Sequence, residues 1–267
     1  MREIRSGIRA LTIALIFALV AVGSVQADPN ALWTIVHSQC VTNQYRHHDP
    51  APCARVDLRF GEDRGYAVYK DTVGAHQYLL LPTARITGIE SPELLEPDAT
   101  NYFAAAWQER SFVEELAGGR ISREWISLAV NSAITRSQDQ LHIHMDCLRA
   151  DVYDILAAST DLIGSAWATF PTPLAGHTYS AVAVNGADLD ELNPFQLLAD
   201  GIHGAREEMG LYTLVVVGAF DQSGQPKFIV LAHRADAGNR DAAGEQLQDH
   251  QSCPRPQPGT NPGIATK

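Results

Sequence analysis

The sequence predicts an α+β fold, an antiparallel sheet with packed helices. Three observations point there: short β-rich runs set off by glycine turns, one long Ala- and Glu-rich helical stretch, and an order of strand, helix, strand, strand met twice. Val56–Phe60 and Tyr66–Lys70 flank the turn-like Gly61–Gly65, and Gln77–Leu81 follows as a third strand. From Ala99 to Ala117, Tyr102, Phe103, Ala106, Trp107, Phe112 and Leu116 recur mostly at three- and four-residue spacing, and Gly118-Gly119 stops the run; this is an amphipathic helix. Trp125–Asn131 and Gln140–Asp146 read as two further strands joined by the polar stretch 132–139. The order then recurs, with a strand at His177–Val184, a helix at Pro194–Glu208, and strands at Tyr212–Gly218 and Lys227–His233. It recurs as order only, without sequence self-similarity, and it allows two degenerate halves at 28–149 and 150–234. The unit at 28–234 is followed by a tail, 235–267, rich in Gly, Asp, Gln and Pro, which reads as irregular or mobile.

Residues 1–27 read as an export segment. Arg2, Arg5 and Arg9 precede an apolar run from Ala10 to Val25 that only Thr12, Gly23 and Ser24 interrupt. Val25-Gln26-Ala27 suits a signal peptidase, and the run is shorter than the roughly 20 residues that comfortably span a bilayer. A cleaved leader and a retained anchor both fit, and either leaves the rest of the chain outside the cytoplasm. In an oxidising compartment Cys40, Cys53, Cys147 and Cys253 are expected to form two disulfides. Three pairings are possible; Cys40 with Cys53 closes a short loop and leaves Cys147 for Cys253, fastening the tail to the core. No second Cys or His pair of finger type accompanies them, which argues against structural zinc. Formal charge is −11, and residues 1–27 hold three arginines and one glutamate, so the remainder stands at −13. Such a surface disfavours nucleic acid and repels anionic lipid, leaving the N-terminal segment as the contact with a membrane lipid surface.

The chemistry concentrates at residues 131–147. In a strand, side chains alternate, so Gln140, His142, His144 and Asp146 share one face while Leu141, Ile143 and Met145 cover the core. Two neighbouring imidazoles allow a half-exposed polar strand, a metal site completed by Asp146, or phosphoryl transfer in which an imidazole attacks phosphorus. Neutral donors at Asn131, Ser137, Gln138 and Gln140, with Arg136, suit phosphate oxygens better than a metal that needs lone pairs. Arg85 and Lys70 are further candidates for substrate charge. The other histidines, among them His177 and His233, read as structural or surface residues.

Gln140-Leu-His-Ile-His-Met145 resembles the histidine-triad signature, with glutamine in place of the first histidine. In that register His142 matches the nucleophile and His144 the last triad residue. Shifted by two, His144 would be the nucleophile and Asp146 the last member; the unshifted register is preferred because a glutamine precedes the two-histidine block in the resembling branch. Leu32-Trp-Thr-Ile-Val-His-Ser-Gln-Cys40, Pro50-Ala-Pro-Cys53, residues 81–91 and 96–107, and the histidine block together resemble the CDP-diacylglycerol pyrophosphatases from the export segment to at least His233. The resemblance implies a HIT-like fold and a bacterial inner-membrane setting, with the catalytic domain in the periplasm. It also implies hydrolysis of CDP-diacylglycerol to CMP and phosphatidate through a nucleotidyl-histidine intermediate, without a metal or other cofactor. A phosphate monoester leaves with less protonation than an alkoxide, so the missing triad histidine is chemically tolerable. Two alternatives remain: a metal-dependent periplasmic phosphoesterase using His142, His144 and Asp146, and a non-catalytic nucleotide- or lipid-binding protein.

Overall fold

The computed structural model describes residues 28–236, 238 and 241–255, and the export segment expected at residues 1–27 lies outside them. Among the described residues no helix is long and apolar enough to cross a membrane.

The described residues open with one continuous helical stretch formed by α1 (Ala31–Trp33), a π-helical segment (Thr34–Val41) and α2 (Thr42–His47). Strands β1 (Arg55–Asp57), β2 (Tyr66–Lys70) and β3 (Tyr78–Pro82) form an antiparallel meander. Two short helices follow, α3 (Tyr102–Gln108) and α4 (Ser111–Leu116), then β4 (Ile126–Val130), β5 (Ile143–Cys147) and α5 (Ala150–Ser159). The second part comprises β6 (Ala168–Thr169), β7 (Ser180–Asn185), α6 (Pro194–Gly201), β8 (Tyr212–Phe220) and β9 (Pro226–Arg234). All nine strands join one sheet in the order β1-β2-β3-β5-β4-β8-β9-β7-β6, and every neighbouring pair is antiparallel.

Alternation sorts the side chains onto two faces. Along one row Leu128, Val216, Val230 and Val182 pack beneath α3, α4 and α6, where Phe103, Trp107, Val113, Phe195 and Leu198 complete a core. The opposite face carries the row Leu79, His144, Ala129, Val215, Leu231, Ala181. Two separate clusters cover its ends. Val36, Cys40 and Val41 of the first helical stretch lie over Ala67, Leu79 and Leu81. Val152 and Leu156 of α5, with Leu247 of the tail, lie over Val215, Ile229 and Leu231. His142 and His144 fall between the two covers.

The long helix expected over Ala99–Ala117 is broken. Asn101 caps α3 by accepting from Ala104 N, and the break comes at Glu109, whose buried carboxylate accepts from Arg55 Nη1 at 2.7 Å and Tyr66 Oη at 2.8 Å. The helix expected over Pro194–Glu208 stops at Gly201, where a Cβ would run into the Trp167 indole; Ile202 is extended and a 3-10 turn occupies Arg206–Leu211. The strand expected over Gln140–Asp146 starts only at Ile143, because Gln140 is tied to the end of β3 by its side chain. Disulfides join Cys40 to Cys53 and Cys147 to Cys253. The described part of the tail is short of regular structure but not loose. Gln248 bridges Leu148 and donates through Nε2 to Ser127 O and His144 O at 3.2 and 3.1 Å.

Candidate active site

The gap between the two covers is a cavity of about 650 Å³. Ala31, Leu32 and Ile35 form an apolar wall, residues 71–73 and Gln77 another, and Asn131, Thr135, Ser137 and Gln138 a polar one; His142, His144 and Glu245 complete it. The π-helical segment contributes Ile35 to this wall while its inner side fills the core with Val36 and Cys40. A strand's alternation brings both imidazoles to the cavity, with ring centroids 4.9 Å apart and edge to face.

The His142 ring is held by a single bond whose direction is fixed by chemistry. Nδ1 lies 2.7 Å from the main-chain oxygen of Gln140, and a carbonyl can only accept, so Nδ1 carries the proton and Nε2 the lone pair. Burial keeps the ring neutral: His142 and His144 are 8% and 5% exposed, and desolvation pushes both down to about 4, the neighbouring His144 adding to the effect on His142. His144 sits in a network. Its Nδ1 is 3.0 Å from the Gln77 amide, whose oxygen accepts the proton when its nitrogen donates to Val73 O and Asp71 Oδ2. Asn131 Nδ2 donates to Glu245 Oε1 at 2.8 Å and stands 3.5 Å from His144 Nε2; Glu245 Oε2 is 3.4 Å from His144 Nδ1.

Of the residues nominated from sequence, His142, His144, Asn131, Ser137 and Gln138 line this cavity. The Gln138 side chain also braces the wall, accepting from Leu32 N at 3.0 Å and donating to Asp28 O at 3.0 Å. Gln140 does not line it. Its amide is fully buried and donates to Pro82 O and Ala84 O, so only its main-chain oxygen serves the site. The three cations are also elsewhere. Arg136 pairs with Glu90 at 2.6 Å and with Asp139, packed against Gly88. Arg85 stacks over Trp33 and borders a separate cavity of about 300 Å³. Lys70 donates to Asp71 O and Gly74 O. Among the described lining residues the formal charges are those of Asp71 and Glu245, both negative. Asp146, a metal ligand in one reading, is wholly buried and bonded to His250 Nδ1 at 3.1 Å and Cys147 N at 2.8 Å, outside the cavity.

The contributors that escaped the sequence reading include Gln77, Asp71, Thr135, the apolar wall of Ala31, Leu32 and Ile35, and Glu245. Gln77 was detectable in principle, since it shares the face of Leu79 and Leu81, but only once β3 is known to pair with β5. Glu245 arrives from a tail whose composition resembles disorder; Cys253 was the sole hint of its attachment.

Residues 27–255 match the family described as CDP-diacylglycerol pyrophosphatase. The chain is 42% identical over 247 residues to a CDP-diacylglycerol pyrophosphatase from Yersinia pestis, covering 91% of this chain and 93% of that protein.

Proposed function

The chain belongs to the CDP-diacylglycerol pyrophosphatase family and is a hydrolase of the diphosphate bond of CDP-diacylglycerol; we propose that His142 performs the reaction as the nucleophile, yielding CMP and phosphatidate. The observation that carries this assignment is the Nδ1 bond to Gln140 O, which leaves the Nε2 lone pair on a neutral ring in the cavity wall. Nε2 bonds to the cytidylyl phosphorus, the anhydride P–O bond breaks, and its electron pair leaves on phosphatidate. The imidazole becomes cationic in the adduct, and its Nδ1–H stays on the Gln140 carbonyl, which stabilises that charge. Water then attacks phosphorus and gives its proton to His144 Nε2, the P–N bond breaks with its electron pair returning to His142 Nε2, and CMP departs.

His144, held by Gln77 at Nδ1 and by Asn131 at Nε2, keeps its Nε2 lone pair free to take the proton of the attacking water. Asn131, Ser137 and Gln138 supply neutral donors, a role supported by their position on the polar wall. The apolar wall formed by Ala31, Leu32 and Ile35 gives the lipid-bearing side of the substrate a surface to enter along. The metal-dependent alternative loses its third ligand, because the Asp146 carboxylate is engaged by His250. A non-catalytic reading leaves the oriented lone pair of His142 without a purpose.

The finer fold is read as HIT-like with two degenerate halves. Supporting this, β3-β5-β4 and β8-β9-β7 hold the strands in mirrored order about the β4–β8 pair, and Phe103 of α3 meets Phe195 of α6 with ring centroids 4.9 Å apart. The localisation we propose is periplasmic, on the inner membrane or freed from it by cleavage; the basic start and apolar run of residues 1–27 support it. The two disulfides support an oxidising compartment.

The test is CMP release from CDP-diacylglycerol by the full chain, with acid quenching to trap phosphorus on an imidazole. His142→Ala is expected to lose about 10⁴-fold or more in kcat and all trapped label. Full turnover by that variant would remove His142 from the mechanism.

A further inference from the structure

Beyond the catalytic cavity, three side chains from three separate stretches bring ligating atoms together. His177 follows the tight turn of Ala175 and Gly176, both left-handed (φ 49° and 87°), which closes paired main-chain bonds between Leu174 and His177. His233 stands in β9 opposite Thr213 of β8. Asp241 belongs to the tail. His177 Nδ1 lies 3.6 Å from Asp241 Oδ2 and His233 Nε2 lies 3.7 Å from Asp241 Oδ1, and one ligating atom from each residue falls within 4.8 Å of the others.

Neither contact is a hydrogen bond at those distances. The Nδ1 of His233 bonds Thr178 O at 2.9 Å and must hold a proton, so the neutral ring carries its lone pair on Nε2. Its Nε2 lone pair therefore faces a carboxylate oxygen. Both atoms are shut off from solvent and without hydrogen-bond partners. Two electron-rich atoms buried against each other repel unless a positive charge lies between them. A proton would draw them to hydrogen-bond distance, whereas ligands bound at about 2.0–2.2 Å to a tetrahedral cation stand roughly 3.3–3.6 Å apart. The contacts of 3.6 and 3.7 Å lie at and just beyond the upper end of the second spacing and well outside the first. The Thr178 bond also has the form that orients a metal-bound imidazole.

We propose that His177, His233 and Asp241 bind a divalent transition cation of the zinc class, with water in the remaining position. Its effect is to pin the tail. Next to Asp241, Ala242 O accepts from Ser132 N and from Thr135 Oγ1, a Cβ on Gly244 would meet Thr213 Oγ1 at 2.6 Å, and Glu245 reaches Asn131. The cation thus fastens the segment that carries Glu245 into the catalytic cavity, without itself lying there.

Chelator-treated full chain is titrated with Zn²⁺ by calorimetry and with Co²⁺ by visible absorption. One equivalent per chain is expected, with the d–d bands of a low-coordinate site and a higher unfolding temperature in excess metal. His233→Ala and the isosteric Asp241→Asn each lower affinity by at least about 100-fold, whereas His142→Ala leaves it unchanged. Absence of stoichiometric binding by the unaltered chain overturns the proposal, as does unchanged affinity in both ligand variants. Loss of binding in His142→Ala alone overturns it too and moves the cation to the catalytic cavity. Binding is read without turnover, so an error in the catalytic assignment would leave this result standing.

Discussion

β5 and β9 occupy matching places in the sheet and have opposite fates. Each lies between the strand that precedes a helix and the strand that follows it, and His144 and Leu231 stand on the same cross-strand row. Around Ile229 and Leu231 the face is sealed by Val152, Leu156 and Leu247. Around His142 and His144 the covers part and leave about 650 Å³. Two side chains on each side make the difference, His144 of β5 with His142 just before it against Ile229 and Leu231 of β9: aliphatic groups draw a helix down by area burial, whereas imidazoles hold polar partners around an open space. The inward face below both strands is equally apolar, with Ile143 and Met145 in one and Phe228 and Val230 in the other.

Converting one strand toward the other is the sharpest test. His144→Leu is expected to lower kcat by about 10²–10⁴-fold, the usual worth of a positioned acid or base, measured as CMP release. The fold should survive, since the leucine meets Leu79 and Ala129 on its row, although Gln77 and Asn131 lose a partner. The reverse change, Leu231→His, places an imidazole under a sealed cover and should cost about 3 kcal/mol in urea unfolding. A cost below about 1 kcal/mol would mean that the α5 cover yields as readily as the cavity does.

The pH dependence gives a smaller and graded contrast. Because desolvation holds His142 and His144 near 4, kcat/KM should stay level on acidification through pH 6 and fall only toward pH 4. An acid limb centred near 6.5 would show rings that are hydrated in the free enzyme. For stability, the unfolded chain binds the protons first, so this pair's contribution is full above about 6.5 and is lost as pH falls toward 4. His250 works in the opposite sense. Its bond to Asp146 raises it, so its contribution is full below about 6.5 and is lost as pH rises through its folded value. Smallest of all, Lys70→Ala should change kcat/KM by less than about threefold, since its ammonium serves the 71–74 loop and leaves the cavity to neutral donors.

Much of the sheet was legible because strand alternation is local. Tyr66–Lys70 was placed with its observed bounds, and the shared face of His142 and His144 followed from period two alone. What failed needed distance in sequence. Lys70, Arg85 and Arg136 were nominated for charge, but their partners, Gly74, Trp33 and Glu90, are visible only in three dimensions. Gln140 was placed on the right face yet is drawn into β3 by two carbonyls, one from a proline that ends that strand. The first helical stretch and α5 went unread because few of their positions are buried, Val36, Cys40 and Val41 in one and Val152 and Leu156 in the other, and the tail because its buried members, Gly244, Leu247 and Gln248, sit in polar surroundings.

Cys147, three residues beyond His144, is bridged to Cys253 across a separation of 106 residues, and the segment between Asp241 and that bridge supplies Glu245 and Gln248. Both imidazoles are therefore synthesised long before the pocket they serve has all its sides. A nascent or clipped polypeptide ending before residue 241 would hold His142 and His144 but not the Glu245 side of their enclosure.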